Sequence, residues 1–154
     1  MSDIATLELV NKIERRLALL EARDKGYTFI PLATPLTSTS WDGDSHSTTA
    51  MTLIDLSAVF SAPAGIRAVL VIAHAKDSGS AGITDGCCFR LAPSAAPAGA
   101  GGAFFLRLEG IVNDAWHAEM GVVPCDANGD VYWSCAASGA STMDIWLEIW
   151  GYIL

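Results

Sequence analysis

The sequence predicts a mainly β protein, an antiparallel β-sandwich of jelly-roll-like type, preceded by a short N-terminal coiled-coil helix. Three observations support this fold class. Residues 6–22 lack Gly and Pro and repeat apolar side chains at heptad spacing. After Gly26, β-prone runs alternate with clusters of Pro, Gly, Ser and Asp. Residues 143–154 alternate two sets of side chains, as a two-faced strand does. We therefore expect an oligomerisation or anchoring helix over 1–25 and a sandwich domain over 26–154.

The N-terminal helix is predicted to carry a coiled-coil seam. Its a and d positions are Val10, Ile13, Leu17 and Leu20. In this register Arg16 falls at g and Glu21 at the following e, which is the spacing of an interchain ion pair. The pattern spans only about two and a half heptads, so a helix packed on its own domain is the alternative. The heptads alone do not distinguish a dimer from a trimer.

Eight runs of the remaining sequence are predicted to be strands, bounded by turn residues at intervals that suit a sandwich or barrel. They cover residues 27–32, 50–56, 66–75, 86–91, 103–111, 117–123, 131–137 and 142–154. The pair Asn128-Gly129 lies between the sixth and seventh runs. Because Asn-Gly is favoured in two-residue hairpin turns, we expect a β-hairpin there.

The last predicted strand has two different faces. One face consists of Met143, Ile145, Leu147 and Ile149 and is expected in the core. The other consists of Asp144, Trp146, Glu148, Trp150 and Tyr152. A face that mixes tryptophan with carboxylate suits a subunit interface or a covered sheet, so Trp146 and Trp150 are predicted to contribute to oligomerisation.

The charge distribution excludes several functions. Hydrophobic residues make up 51% of the 154 and charged residues only 17%, with a formal net charge of −8. Residues 26–154 contain twelve acidic and four basic side chains. Four basic residues cannot form a patch that follows phosphates, which excludes nucleic acid and an anionic membrane surface as partners. No apolar run is long enough to span a membrane. A surface with so little charge indicates contact with further copies of the chain.

Metal and cofactor sites are not predicted. The cysteines are Cys87, Cys88, Cys125 and Cys135, and none has CxxC spacing. We expect reduced, buried thiols in a chain made in a cytosol, with a Cys125–Cys135 bridge left open. Residues 126–130 begin like a calcium loop but lack the Gly and Glu that such a loop requires. The three histidines have no metal-ligand spacing.

Two predicted loops combine tryptophan with polar side chains, an arrangement that suits sugar stacking and hydrogen bonding. The candidate receptor-contact residues are Trp41, Asp42, Asp44, His46, Asn113 and Trp116. A host surface glycan is the expected ligand of such loops. The alternative is that these tryptophans fill the core or an interface.

A serine hydrolase is a distant alternative. Gly43-Asp44-Ser45 resembles the nucleophile block of GDSL-type hydrolases, and Asp114-Ala-Trp-His117 resembles their DxxH block. Ser45 would be the nucleophile, His117 the base and Asp114 its orienting partner. That family has an α/β fold, whereas this chain lacks alternating helices, so we expect a protein without catalytic residues.

The chain resembles small structural proteins of tailed bacteriophages. The segments that carry the resemblance are 30–44, 52–60, 64–70 and 146–152, together with the order of heptad helix and β-sandwich. The resemblance implies a non-enzymatic virion component, a homotrimer whose N-terminal helix contacts other virion proteins and whose sandwich faces outward. A tail-fibre adhesion module is the preferred interpretation. A capsid decoration protein, of cement or head-fibre type, is the alternative.

Overall fold

The computed structural model describes residues 26–38, 40–41, 43, 50–96 and 102–154. The predicted N-terminal helix lies outside these residues. So do three of the loop candidates and the serine of the hydrolase alternative, namely Asp42, Asp44, Ser45 and His46. Within the described residues the protein is mainly β, with two antiparallel sheets of four strands each.

Each of the eight predicted runs overlaps one strand, and β1, β3, β4 and β6 extend beyond the predicted ends. The first sheet has the order β1 (Phe29–Leu36), β8 (Met143–Ile153), β3 (Ala68–Asp77) and β6 (His117–Pro124). The second sheet has the order β2 (Thr52–Ile54), β7 (Val131–Ala136), β4 (Cys88–Ala92) and β5 (Phe104–Arg107). Strands β1 and β6 are therefore the edges of the first sheet, and β2 and β5 are the edges of the second.

The predicted hairpin at Asn128-Gly129 is wrong in its pairing, although the tight turn is present. The Gly129 N–H donates to the Asp126 carbonyl at 3.2 Å, and the Asp126 N–H donates to the Asp130 carbonyl at 2.8 Å. Gly129 has a φ of 91°, which favours glycine. However, β6 pairs with β3, whereas β7 pairs with β2 and β4. The turn therefore connects the two sheets, because the burial requirement of each strand decides its partner.

One hydrophobic core joins both sheets. The first sheet contributes Val69, Val71 and Ile149, and the second contributes Phe89 and Trp133. The core face predicted for the last strand is confirmed, since Met143, Ile145, Leu147 and Ile149 are all buried.

Tyr152 does not lie on the face that strict alternation predicts. The β3–β8 register shifts between Leu70 and Val71, so Tyr152 pairs with Val69 and packs against the core. A β-bulge adds one residue to a strand and thereby exchanges the faces beyond it. Simple alternation cannot detect such an insertion.

The second predicted strand is shorter than expected because a helix follows it. Strand β2 ends at Ile54, and helix α1 (Leu56–Phe60) begins after Asp55. The Asp55 carboxylate caps this helix by accepting the Ala58 N–H at 2.9 Å. The Asp130 carboxylate accepts the Leu56 N–H at 3.0 Å and links the helix to the turn between the sheets.

Candidate functional site

The most unusual surface is the side of the first sheet that faces away from the core. We call it the outer face, and its residues are Leu70, Ile72, His74, Met120, Val122, Trp146, Glu148 and Trp150. Strand pairing places them side by side, with Ile72 opposite both Met120 and Glu148, and His74 opposite Trp146. Three strands therefore contribute to one continuous, largely apolar surface.

Much of the outer face is open to solvent. The exposed fractions are 59% for Met120, 53% for Val122 and 45% for Trp146. Scattered apolar residues are normal on a protein surface, but a contiguous apolar patch marks an interaction site. The sequence predicted the tryptophans of this face. It did not predict Met120 and Val122, because β6 has no regular alternation of apolar and polar residues.

Glu148 organises the two tryptophans of the outer face. The Trp146 indole nitrogen donates to Glu148 Oε1 at 3.2 Å, and the Trp150 indole nitrogen donates to Glu148 Oε2 at 2.7 Å. One carboxylate thus satisfies both indole N–H groups. A buried polar group costs free energy unless it is hydrogen-bonded, so this arrangement makes the face suitable for burial.

A shallow cavity lies at one end of the outer face. It has a volume of about 270 Å³ and is lined by His74, Trp116, Trp146 and Glu148. Lys76 lies beside it, with Nζ 2.7 Å from Asp144 Oδ2 and 5.2 Å from the centre of the Trp116 ring. The ammonium group thereby positions the exposed Trp116 ring through a cation–π contact.

The three predicted receptor-contact residues that the structure describes, Trp41, Asn113 and Trp116, differ in their surroundings. The Trp41 ring packs against the core, 5.2 Å from the Trp133 ring and 6.4 Å from the Phe60 ring. Its indole nitrogen is buried and has no hydrogen-bond partner among the described residues. Asn113 holds a turn by accepting the Ala81 N–H at 2.9 Å. Of the described candidates, Trp116 alone presents an exposed aromatic ring.

The hydrolase arrangement is not assembled in the described part of the chain. Asp114 occupies a left-handed turn with a φ of 59°, and its N–H donates to the Asp77 carbonyl at 3.1 Å. His117 begins the exposed strand β6. Among the described residues, no hydrogen bond joins the Asp114 carboxylate to the His117 ring. These residues also contain no group of three or more His, Cys, Asp or Glu side chains that could hold a metal ion.

A groove on the edge strand β5 was not predicted from the sequence. It has a volume of about 810 Å³. Its lining residues are Asp85, Gly86, Arg90, Phe105, Arg107, Glu109, His117 and Glu119. Both arginines lie against the Phe105 ring, with their Cζ atoms 4.8 Å (Arg90) and 4.6 Å (Arg107) from its centre. This cluster arises from pairing between β4 and β5, so only a correct strand register could have revealed it.

The described residues form a mainly β protein with two antiparallel four-stranded sheets, one of which has an exposed apolar face. Comparison of the chain with protein-family models, with curated proteins and with solved structures finds no match. Among the described residues, no helix has both the length and the apolar character needed to cross a membrane.

Proposed function

We propose that this chain is a non-enzymatic structural protein of a tailed-bacteriophage virion, a homotrimeric fibre-tip or adhesion module. The outer face of the first sheet is the single observation that carries the proposal. In the assembly, this face packs against neighbouring copies of the chain. The helix predicted over residues 1–25 contacts other virion proteins, and the β domain faces the host surface.

The strand connectivity supports this class of protein. The chain changes sheet at every connection except the one between β4 and β5. This is the pattern expected for the two Greek keys of an eight-stranded jelly-roll sandwich, and we propose that fold for residues 26–154. Jelly rolls form many viral capsid and lectin domains, in which loops and faces bind partners and no catalytic group is required.

The energetics of the outer face favour self-association. Full burial of a side chain such as Val or Met contributes about 1.5–3 kcal/mol, so half-exposed ones contribute about 1 kcal/mol each when covered. Met120, Val122 and Trp146 are each close to half exposed. The carboxylates at this surface already have partners, since Glu148 accepts two indole hydrogen bonds and Asp144 pairs with Lys76. Closing the interface therefore leaves neither of these two carboxylates without a hydrogen-bond or ion-pair partner.

The native mass of the full chain tests the proposed assembly. One chain has a mass of 16.2 kDa, so a trimer has about 49 kDa. We expect the trimer mass for the wild type and a smaller mass for the double variant Met120→Lys and Val122→Lys. Lysine is well tolerated on edge strands, so the variant should remain folded by circular dichroism.

Val112→Lys is the matched control for this experiment. Val112 is 72% exposed but lies in a turn outside the outer face. The control variant should keep the wild-type mass. A monomeric wild type, or a double variant with unchanged mass, would overturn the proposal that this face joins the subunits.

A separate experiment tests whether the chain is part of a virion. Mass spectrometry of purified particles from the source of this sequence should find the chain in a fixed ratio to the major capsid protein. Its absence from intact particles would overturn the virion part of the proposal without affecting the trimer.

A further inference from the structure

We propose that the groove beside β5 binds a saccharide that carries a carboxylate group, held by Arg90 and Arg107. This inference rests on the proposed adhesion function for its biological meaning, since acidic sugars are common on cell surfaces. The site itself is formed by residues of a single chain, and none of them belongs to the outer face.

The groove brings together two of the few basic side chains of residues 26–154, beside the carboxylates of Asp85, Glu109 and Glu119. Residues 26–154 contain only four basic side chains, and two of them meet at one phenyl ring. Arg90 lies directly opposite Phe105 across the β4–β5 pair, and Arg107 follows two residues later on the same face of β5. The Phe105 ring attracts both guanidinium groups through cation–π contacts.

The two guanidinium groups retain capacity for a ligand. Arg107 Nη1 lies 3.5 Å from Glu109 Oε1, and that oxygen also accepts the Gly86 N–H at 3.2 Å. Arg90 Nε donates to Cys88 Sγ at 3.3 Å, and no carboxylate of the described residues lies within 4.0 Å of its guanidinium nitrogens. An arginine without an acidic partner can bind a carboxylate through two parallel N–H bonds.

The rest of the groove favours a polyhydroxylated ligand over a simple anion. Asp85, Glu119 and His117 line it beside the arginines. Carboxylates accept hydrogen bonds from sugar hydroxyls, whereas they repel a polyanion such as nucleic acid. The volume of about 810 Å³ falls within the usual range for small-molecule sites and accommodates a short oligosaccharide.

The groove and the outer face can be tested separately. No residue of the outer face lines the groove. Ligand binding is therefore tested by variants of the arginines, and self-association by variants of Met120 and Val122. A loss of one property can be distinguished from a loss of the other.

Titration with 3′-sialyllactose, a trisaccharide that carries a single carboxylate, tests this inference, with its methyl ester as the neutral probe of the same shape. Binding to the full chain is measured by calorimetry and by the NMR signals of the arginine Nε–H groups. We expect dissociation constants in the millimolar range or tighter for 3′-sialyllactose, and at least tenfold weaker binding for the ester. Native mass is recorded on the same samples.

Arg90→Gln and Arg107→Gln should each weaken binding of 3′-sialyllactose about tenfold or more. Arg67→Gln is the matched control, since Arg67 also lies over an aromatic ring, 5.3 Å from the centre of Tyr27, but outside the groove. If a variant fails to fold, the NMR spectrum of the wild type still tests the inference. On addition of ligand, the Arg90 and Arg107 signals must shift more than the Arg67 signal. Three results would each overturn the inference. They are equal affinity for the acid and the ester, wild-type affinity in the groove variants, and no binding at 10 mM ligand.

Discussion

The Thr142 hydroxyl donates a 2.9 Å hydrogen bond to Oδ2 of Asp77, which joins the end of β3 to the start of β8. The same buried carboxylate accepts the Gly79 N–H at 2.8 Å, the Ser138 N–H at 3.0 Å and the Ser138 hydroxyl. Asp77 is almost inaccessible to solvent. One side chain therefore fixes two turns that lie about sixty residues apart in sequence.

Asp77→Asn should lower the free energy of unfolding and change how that free energy depends on pH. Burial alone would raise the pKa of Asp77, but the hydrogen bonds from Ser138, Gly79 and Thr142 outweigh burial and lower the pKa. Because the folded pKa lies below the unfolded value of about 3.9, this contribution is complete above that value and is lost as pH falls through the folded pKa.

Urea unfolding at pH 7 and pH 3 measures this effect. We expect Asp77→Asn to lower the free energy of unfolding by about 1–3 kcal/mol at pH 7 and by less at pH 3. Asp114→Asn is the control, since Asp114 is exposed and Asn tolerates its left-handed backbone. An Asp77→Asn protein as stable as the control at pH 7 would contradict this account.

Gly121→Ala should also destabilise the protein. A Cβ atom at Gly121 would lie 2.7 Å from Cδ2 of Phe104, a buried ring that packs 6.4 Å from the Phe89 ring. Neither ring can move without disturbing the core, so we expect a loss of about 1–3 kcal/mol. Gly82→Ala is the control, because its Cβ would meet no atom within 4 Å. Thermal melting of both variants checks the difference, and equal melting temperatures would contradict it.

The thiols should be unreactive in the native protein. Burial raises the pKa of Cys87 and of Cys125 to about 12, and nearby carboxylates add to the shift. At pH 8 the reactive thiolate is therefore scarce. The unfolded chain loses these protons first as pH rises, so stability should decrease between about pH 9 and 12.

Labelling with Ellman's reagent at pH 8 measures thiol reactivity. All four cysteines are free in the structure. We expect four reactive thiols in guanidinium without reductant, and slow labelling of Cys87 and Cys125 in the native state. Only two thiols after unfolding would show one disulfide, which peptide mapping would assign to Cys125–Cys135 or to another pair. Rapid native labelling of Cys125 would contradict the raised pKa.

Strand positions were predictable because they depend on local patterns. Alternation along residues 143–149 identified the core face of β8, and turn residues bounded every strand. Strand partners depend on distant burial, which is why the turn at Asn128-Gly129 connects two sheets instead of forming a hairpin. The bulge that turns Tyr152 inward depends on register with β3 and has no local signal.

The candidate sites were predictable only in part for the same reason. The outward position of Trp146 follows from alternation within one strand. The direction of the Trp41 ring depends on Phe60 and Trp133, which are remote in sequence, so its polar neighbours gave no indication of its core packing. The Arg90–Phe105–Arg107 cluster requires the β4–β5 register.

Oxidation of Met120 by hydrogen peroxide tests most directly whether the outer face is covered by other copies of the chain. Within a single chain Met120 is 59% exposed, whereas Met143 is buried. Peptide mass spectrometry gives the oxidation rate of each side chain in the native full-length protein and in the unfolded chain. We predict that native Met120 is oxidised about as slowly as Met143. Oxidation of native Met120 at the rate of the unfolded chain would contradict it.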